Sequence, residues 1–122
     1  MRVGLSPLLT LDMFMSLSEI SKIIADWAAS EPIVVRVYIF GSRARGDHHE
    51  NSDLDIAIEI EKGADDSNVH ETWIYECDRC EQSLAKLLPY RLQLELFDGE
   101  NTPTVLKGIR RSSVLVYDAS NG

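Results

Sequence analysis

Residues 37–61 read VYIFGSRARGDHHENSDLDIAIEIE. An apolar run stops at Gly41-Ser42, a polar stretch with Arg43 and Arg45 follows, and a second apolar run opens with Asp53 and Asp55 one residue apart. Residues two apart in a strand point to the same side, with Cα atoms ~6.6 Å apart at about 3.3 Å rise per residue. Asp53 and Asp55 therefore share one face, while Leu54, Ile56 and Ile58 take the other and face a core. Two like charges so placed repel, and a divalent cation is the usual reason for setting them side by side. Mg²⁺ prefers one or two carboxylates supplemented by substrate phosphates. Ahead of the loop, Gly41 allows a sharp turn and close approach of a ligand to the backbone. Ser42 adds a hydroxyl, N–H groups at a new helix start can cradle phosphate, and Arg43 and Arg45 carry fixed charge suited to phosphate oxygens. A Gly-Ser turn and an Asp-x-Asp pair are each common alone; on adjoining strands they reinforce each other.

Hydrophobic periodicity extends this reading in both directions. Residues 16–29, SLSEISKIIADWAA, predict a helix: Ser16 and Glu19 have capping-box spacing, and Leu17, Ile20, Ile23, Ile24 and Trp27 form one stripe. Pro32 ends it. Ile33 to Phe40 predicts a buried strand and Leu54 to Ile60 a strand with one core face. From Ser67 to about Leu88, Val69, Trp73, Ile74, Cys77, Cys80, Leu84 and Leu87 mark a long helix stopped by Pro89. Arg91 to Phe97 alternates, with Leu92, Leu94 and Leu96 on one face and Gln93 and Glu95 on the other. Asp98-Gly99 is a turn, Pro103 to Arg110 a short helix, and Val114 to Tyr117 a last strand. The expected fold is a single α/β domain, a mixed β-sheet flanked by helices, over residues 16–118. Residues 1–15 are an N-terminal arm, either loose or a strip that covers a partner, and 119–122 a C-terminal tail.

The chain has 122 residues, 44% hydrophobic and 26% charged, enough for a core without disulfides. Its net charge of −8 argues against non-specific binding to nucleic acid or to an anionic membrane. No stretch is long and apolar enough to span a bilayer, and the N-terminus lacks a clear cleavage site, so a cytoplasmic setting is expected. Cys77 and Cys80 spell C-x-x-C, but they sit mid-helix without a second ligand pair and read as thiols half-buried on a helix face. Trp27 and Trp73 read as core, Lys107, Arg110 and Arg111 as a solvated helix face, and Arg45-Gly46-Asp47 as a chance adhesion tripeptide.

The motif GSRARG…SDLD resembles the signature of the polymerase-β-like nucleotidyltransferase superfamily, and is most similar to the minimal nucleotidyltransferases, small bacterial domains of about this length. The resemblance implies that Gly41 and Ser42 hold the triphosphate of a nucleotide, with Arg45 an extra phosphate contact. It implies that Asp53 and Asp55 bind two Mg²⁺ ions, and that AMP is transferred from ATP to a hydroxyl by in-line displacement of pyrophosphate. The family's third carboxylate falls at Gln93, with Glu95 two residues on along the same face. Either Glu95 reaches back as the third acid, or that acid is missing and the chain is a weakened or inactive module that binds nucleotide or a partner. In a sequence of 122 residues, a large acceptor-binding domain is not expected. The resemblance accordingly implies a helical HEPN-type toxin as partner, with this domain as the antitoxin that adenylylates it. The acceptor, the base preference and the oligomeric state, a homo-oligomer included, stay open.

Overall fold

The computed structural model describes residues 15–121. The expectation for the arm thus lies outside the described residues as far as residue 14. Met15 packs against the core. Helix α1 spans Leu17–Ala29 and opens with the capping box read from the sequence: Glu19 N–H donates to Ser16 Oγ at 3.0 Å, and Ser16 N–H to Glu19 Oε1 at 2.8 Å. Strand β1 is Val34–Phe40 and β2 is Leu54–Ile60. Between them stands a four-residue helix, α2, Ser42–Arg45, whose single turn the sequence signalled only as a helix start. Gly41 enters it at φ +77° with extended ψ, and Gly46 closes it in the left-handed region at φ +83°. Helix α3 is Val69–Ala85, β3 Leu92–Leu96, α4 Pro103–Arg111 and β4 Ser113–Asp118. One-turn 3-10 segments lie at Gly99–Asn101 and Ala119–Asn121.

The four strands form one sheet in the order β3-β2-β1-β4. β1 pairs antiparallel with β2 and β4, and β2 pairs parallel with β3, so the sheet is mixed as expected. The parallel pair is joined by the α3 crossover, the connection that a parallel pair requires. α1 packs on β1 and β4, and α3 on β3. Beneath them Val37, Ile39, Leu54, Ile56, Ile58 and Leu84 are fully buried. Each such side chain contributes roughly 1.5–3 kcal/mol of burial, so this layer carries most of the fold's stabilisation. Trp27 stitches α1 to α3, donating its indole N–H to Ser83 Oγ at 2.9 Å.

Three details of α3 depart from the periodicity reading. The helix begins at Val69 because Asn68 caps it, accepting from Glu71 N–H at 2.9 Å. Ile74 and Leu87, expected on the core stripe, are 73% and 50% exposed. Cys80 and Leu84 of the expected stripe do face inward, joined by Thr72 and by Leu88 beyond the helix, and Trp73 is only partly buried. Cys80 is a core residue rather than half-buried, and burial pushes its thiol up to about 11, which makes it inert at neutral pH.

Candidate active site

The other face of the sheet carries the polar chemistry. Opposite pairs in the ladder share a face, so Phe40 with Asp55, Tyr38 with Ala57, and Arg36 with Glu59 all point away from the core. β3 extends that face: Gln93 lies opposite Asp55, and Glu95 opposite Ala57. α4 covers part of it, and Gly108 packs so tightly on the Phe40 ring that a Cβ there would sit 2.9 Å from a ring carbon. Tyr38 and Phe97 stack edge-to-face at 5.6 Å over the middle. The end that holds Asp53 and Asp55 is left open beside the α2 turn.

Gly41 and Asp55 meet there. A Cβ built on Gly41 would overlap Asp55 Oδ2, and its backbone conformation is one that side chains rarely adopt. Only glycine lets the Asp55 carboxylate lie against the turn that precedes Ser42. The pKa of Asp55 is raised, first by burial, then by the neighbouring charges of Asp53 and Glu95, and Arg45 offsets part of the rise. Asp53, Glu95 and Arg45, picked from the sequence at separate positions, each lie within electrostatic reach of Asp55.

Arg43 and Arg45 divide their roles, and here the sequence reading of Arg43 is corrected. Arg43 is buried, 6% exposed, and its guanidinium is committed to the chain itself. It donates to the Ser52 carbonyl at 2.9 and 3.2 Å and to the Glu50 carbonyl at 3.5 Å, and stacks on Tyr90 at 4.2 Å. It ties down the loop that delivers Asp53 and is unavailable for phosphate. Arg45 stays at the mouth, donating from Nε to Asp47 Oδ2 at 3.1 Å.

Arg91 was not singled out by sequence. Its Nε donates to Asp53 Oδ1 at 2.8 Å. The signal was present in the register: Arg91 precedes Leu92 as Asp53 precedes Leu54, and Leu54 and Leu92 are opposite one another. Gln93 and Glu95 do share the Asp55 face, with Gln93 Nε2 donating to Glu95 Oε2 at 3.4 Å. Beside Glu95, His70, Trp73, Thr102 and Pro103 help line a groove of about 360 Å³.

Among the described residues, no three His, Cys, Asp or Glu side chains stand close enough to hold a metal ion together. The donor set is thus a pair of carboxylates with Glu95 set back. Such a pair suits Mg²⁺, which completes its shell with water and substrate phosphate oxygens. The raised pKa of Asp55 fits the same ion, since a cation between the two acids would relieve the crowding that raises it.

A mixed four-stranded sheet, with a glycine-serine turn after one strand and paired acids opening the next, defines a nucleotidyltransferase-type domain. The chain belongs to the polymerase beta nucleotidyltransferase family, whose model matches residues 22–121, and it is a nucleotidyltransferase. Among solved structures, it is 27% identical to a protein of Sulfolobus solfataricus provisionally assigned as a nucleotidyltransferase, covering 99% of this chain and 96% of that one at a TM-score of 0.55. It shares its fold with a toxin–antitoxin complex solved with AMP-PNP, at 21% identity, 83% and 75% coverage and a TM-score of 0.57. It also shares it with a mutant of the toxin–antitoxin MntA-HpeT, at 24% identity, 84% and 75% coverage and a TM-score of 0.55. No curated protein matches the sequence significantly. The expected resemblance to minimal nucleotidyltransferases holds at the level of family and fold. Among the described residues, no helix is long and apolar enough to cross a membrane.

Proposed function

We propose that the chain transfers AMP from ATP to a hydroxyl group, with Asp53 and Asp55 holding Mg²⁺ and Gly41, Ser42 and Arg45 holding the triphosphate. The observation that carries this is the contact of Asp55 with Gly41: the acid and the turn are built against each other, so an ion on one meets phosphate on the other. When bound, Mg²⁺ would neutralise the triphosphate and activate the acceptor oxygen. The residues of the chain do the rest. Gly41 exposes its backbone to the phosphates, Ser42 offers its hydroxyl, and Arg45 supplies positive charge beside Asp55. Glu95, set back from the acid pair and next to the groove, serves as base for the acceptor hydroxyl, which would approach from that side. Gln93, opposite Asp55 where the family resemblance places an acid, leaves the pair one charge short.

The toxin–antitoxin neighbours support a partner protein; we take it, from the family resemblance, as a helical HEPN-type toxin whose tyrosine hydroxyl is the acceptor, met in the cytoplasm. The reaction is tested by incubating the chain and such a partner with α-phosphate-labelled ATP and Mg²⁺. Label should pass to the partner, and Asp53→Ala or Asp55→Ala should cut the transfer by roughly a thousandfold while leaving the far-UV spectrum unchanged. Transfer at the parent rate by either variant would remove the acid pair from the chemistry. The second reading, a binding module that no longer transfers, is favoured by Gln93 alone. It predicts ATP binding without labelling.

A further inference from the structure

We propose that Arg91 is a movable internal cation: it covers Asp53 while no divalent ion is bound, and turns to the triphosphate when ion and nucleotide arrive. The inference rests on the nucleotidyl-transfer reading above and adds a residue that neither the motif nor the fold assigns. Its geometry has two parts. The Arg91 backbone is pinned, because its carbonyl accepts from Leu54 N–H at 2.9 Å in the β2–β3 ladder. The side chain is not pinned: it is 81% exposed, whereas Asp53 is 34% exposed. The Nε contact to Asp53 Oδ1, at 2.8 Å, occupies an oxygen that a metal would need.

An exposed ion pair of this kind is weak, because both partners are well solvated when apart. A divalent ion that reaches Asp53 and Asp55 together carries twice the charge and takes the oxygen. The displaced guanidinium then remains tethered beside the acid pair. Its planar fork of donors matches phosphate oxygens better than a point charge would. The three arginines of the site thereby have separate tasks. Arg43 holds the loop, Arg45 acts on Asp55 from the turn, and Arg91 acts on Asp53 from the neighbouring strand.

Two titrations of the full chain test this: Mn²⁺ alone, followed by paramagnetic resonance, and a non-hydrolysable ATP analogue with Mg²⁺, followed by calorimetry. Arg91→Ala should bind Mn²⁺ about threefold tighter, since a competitor is gone, and the analogue about tenfold weaker, since a phosphate contact is gone. The opposite signs are the signature. Arg45→Ala removes an equal charge without freeing an Asp53 oxygen, so its gain in Mn²⁺ affinity should be smaller. Mn²⁺ affinity that is unchanged or weaker in Arg91→Ala would overturn the proposal. Analogue affinity left at the parent value, or an equal Mn²⁺ gain in Arg45→Ala, would do the same. A parent chain that binds neither probe would instead overturn the nucleotidyl-transfer reading, and the role of Arg91 with it. Arg91→Gln, which removes the charge but keeps the side-chain stem as far as Cδ, repeats both titrations if the alanine variant folds poorly.

Discussion

The face of the sheet that looks away from the core has two ends, and they treat their acids in opposite ways. At one end Arg36 bridges Glu59 at 2.7 Å and Asp118 at 3.3 Å, one guanidinium tying three strands together. There the pKa of Asp118 is lowered, mostly by the Ser120 hydroxyl and backbone N–H, with Arg36 adding to it. At the other end Asp53 and Glu95 both act on Asp55, whose pKa is raised first by burial and then by these two acidic neighbours. The structural end pairs its acids with one shared partner. At the candidate active site Arg91 covers Asp53, but Asp55 keeps a raised pKa, as fits a group whose complement is a ligand.

The largest expected effect comes from filling the crowded end. Gly41→Ala would force a side chain into both a disfavoured backbone region and the space of Asp55 Oδ2. It should destabilise the fold by roughly 1–3 kcal/mol. Nucleotide affinity should fall with it, since Asp55 must move. Chemical denaturation and calorimetric titration would measure the two losses; an alanine variant with parent stability and affinity would separate Asp55 from the turn.

Arg36→Ala tests the paired end. It should lower the melting temperature by roughly 2–4 °C, because two acids lose one shared partner. It should leave nucleotide affinity untouched. An equal loss of affinity would mean that the two ends are not independent.

The smallest effect is expected from Gln93→Asp, which places a further acid directly opposite Asp55. Without metal it should cost roughly 0.5 kcal/mol through like-charge repulsion. With Mg²⁺ present the cost should vanish and transfer should rise, as read by melting curves and by label transfer. A variant that loses transfer would show that the amide at 93 is needed as it stands.

The contrast between the two ends also marks what the sequence could and could not tell. The elements were legible because their causes are local: the capping box at Ser16, the alternation from Leu54 to Ile60, the proline after α3. The site's sequence signals were legible because Gly41 and Asp55 each carry their own. The exposure of Ile74 on α3 and of Leu87 just beyond it was not, since which side of the helix meets the sheet is decided by packing rather than by the helix alone. Nor was the difference between Arg43 and Arg45: two residues apart on a one-turn helix, one points into the loop carbonyls and Tyr90 while the other points out. Arg91 was hidden for a third reason. Its partner Asp53 lies 38 residues away, and only the parallel register of β2 and β3 brings them together.

The central claim is that the acid pair is a stability cost in the bare chain, relieved by a cation, and Asp55→Asn tests it most directly. Because the folded pKa of Asp55 is raised, its ionised form destabilises the fold at neutral pH, and that cost fades as pH falls through the raised value and the group takes up its proton. At pH 7 without metal, the asparagine variant should therefore melt above the parent, by roughly 2 °C given the partial exposure of the site. The gap should shrink toward pH 4. With Mg²⁺ and ATP the order should reverse, since only the parent can bind the ion with both acids. A variant that melts below the parent without metal, or that gains as much as the parent from Mg²⁺ and ATP, would contradict the account.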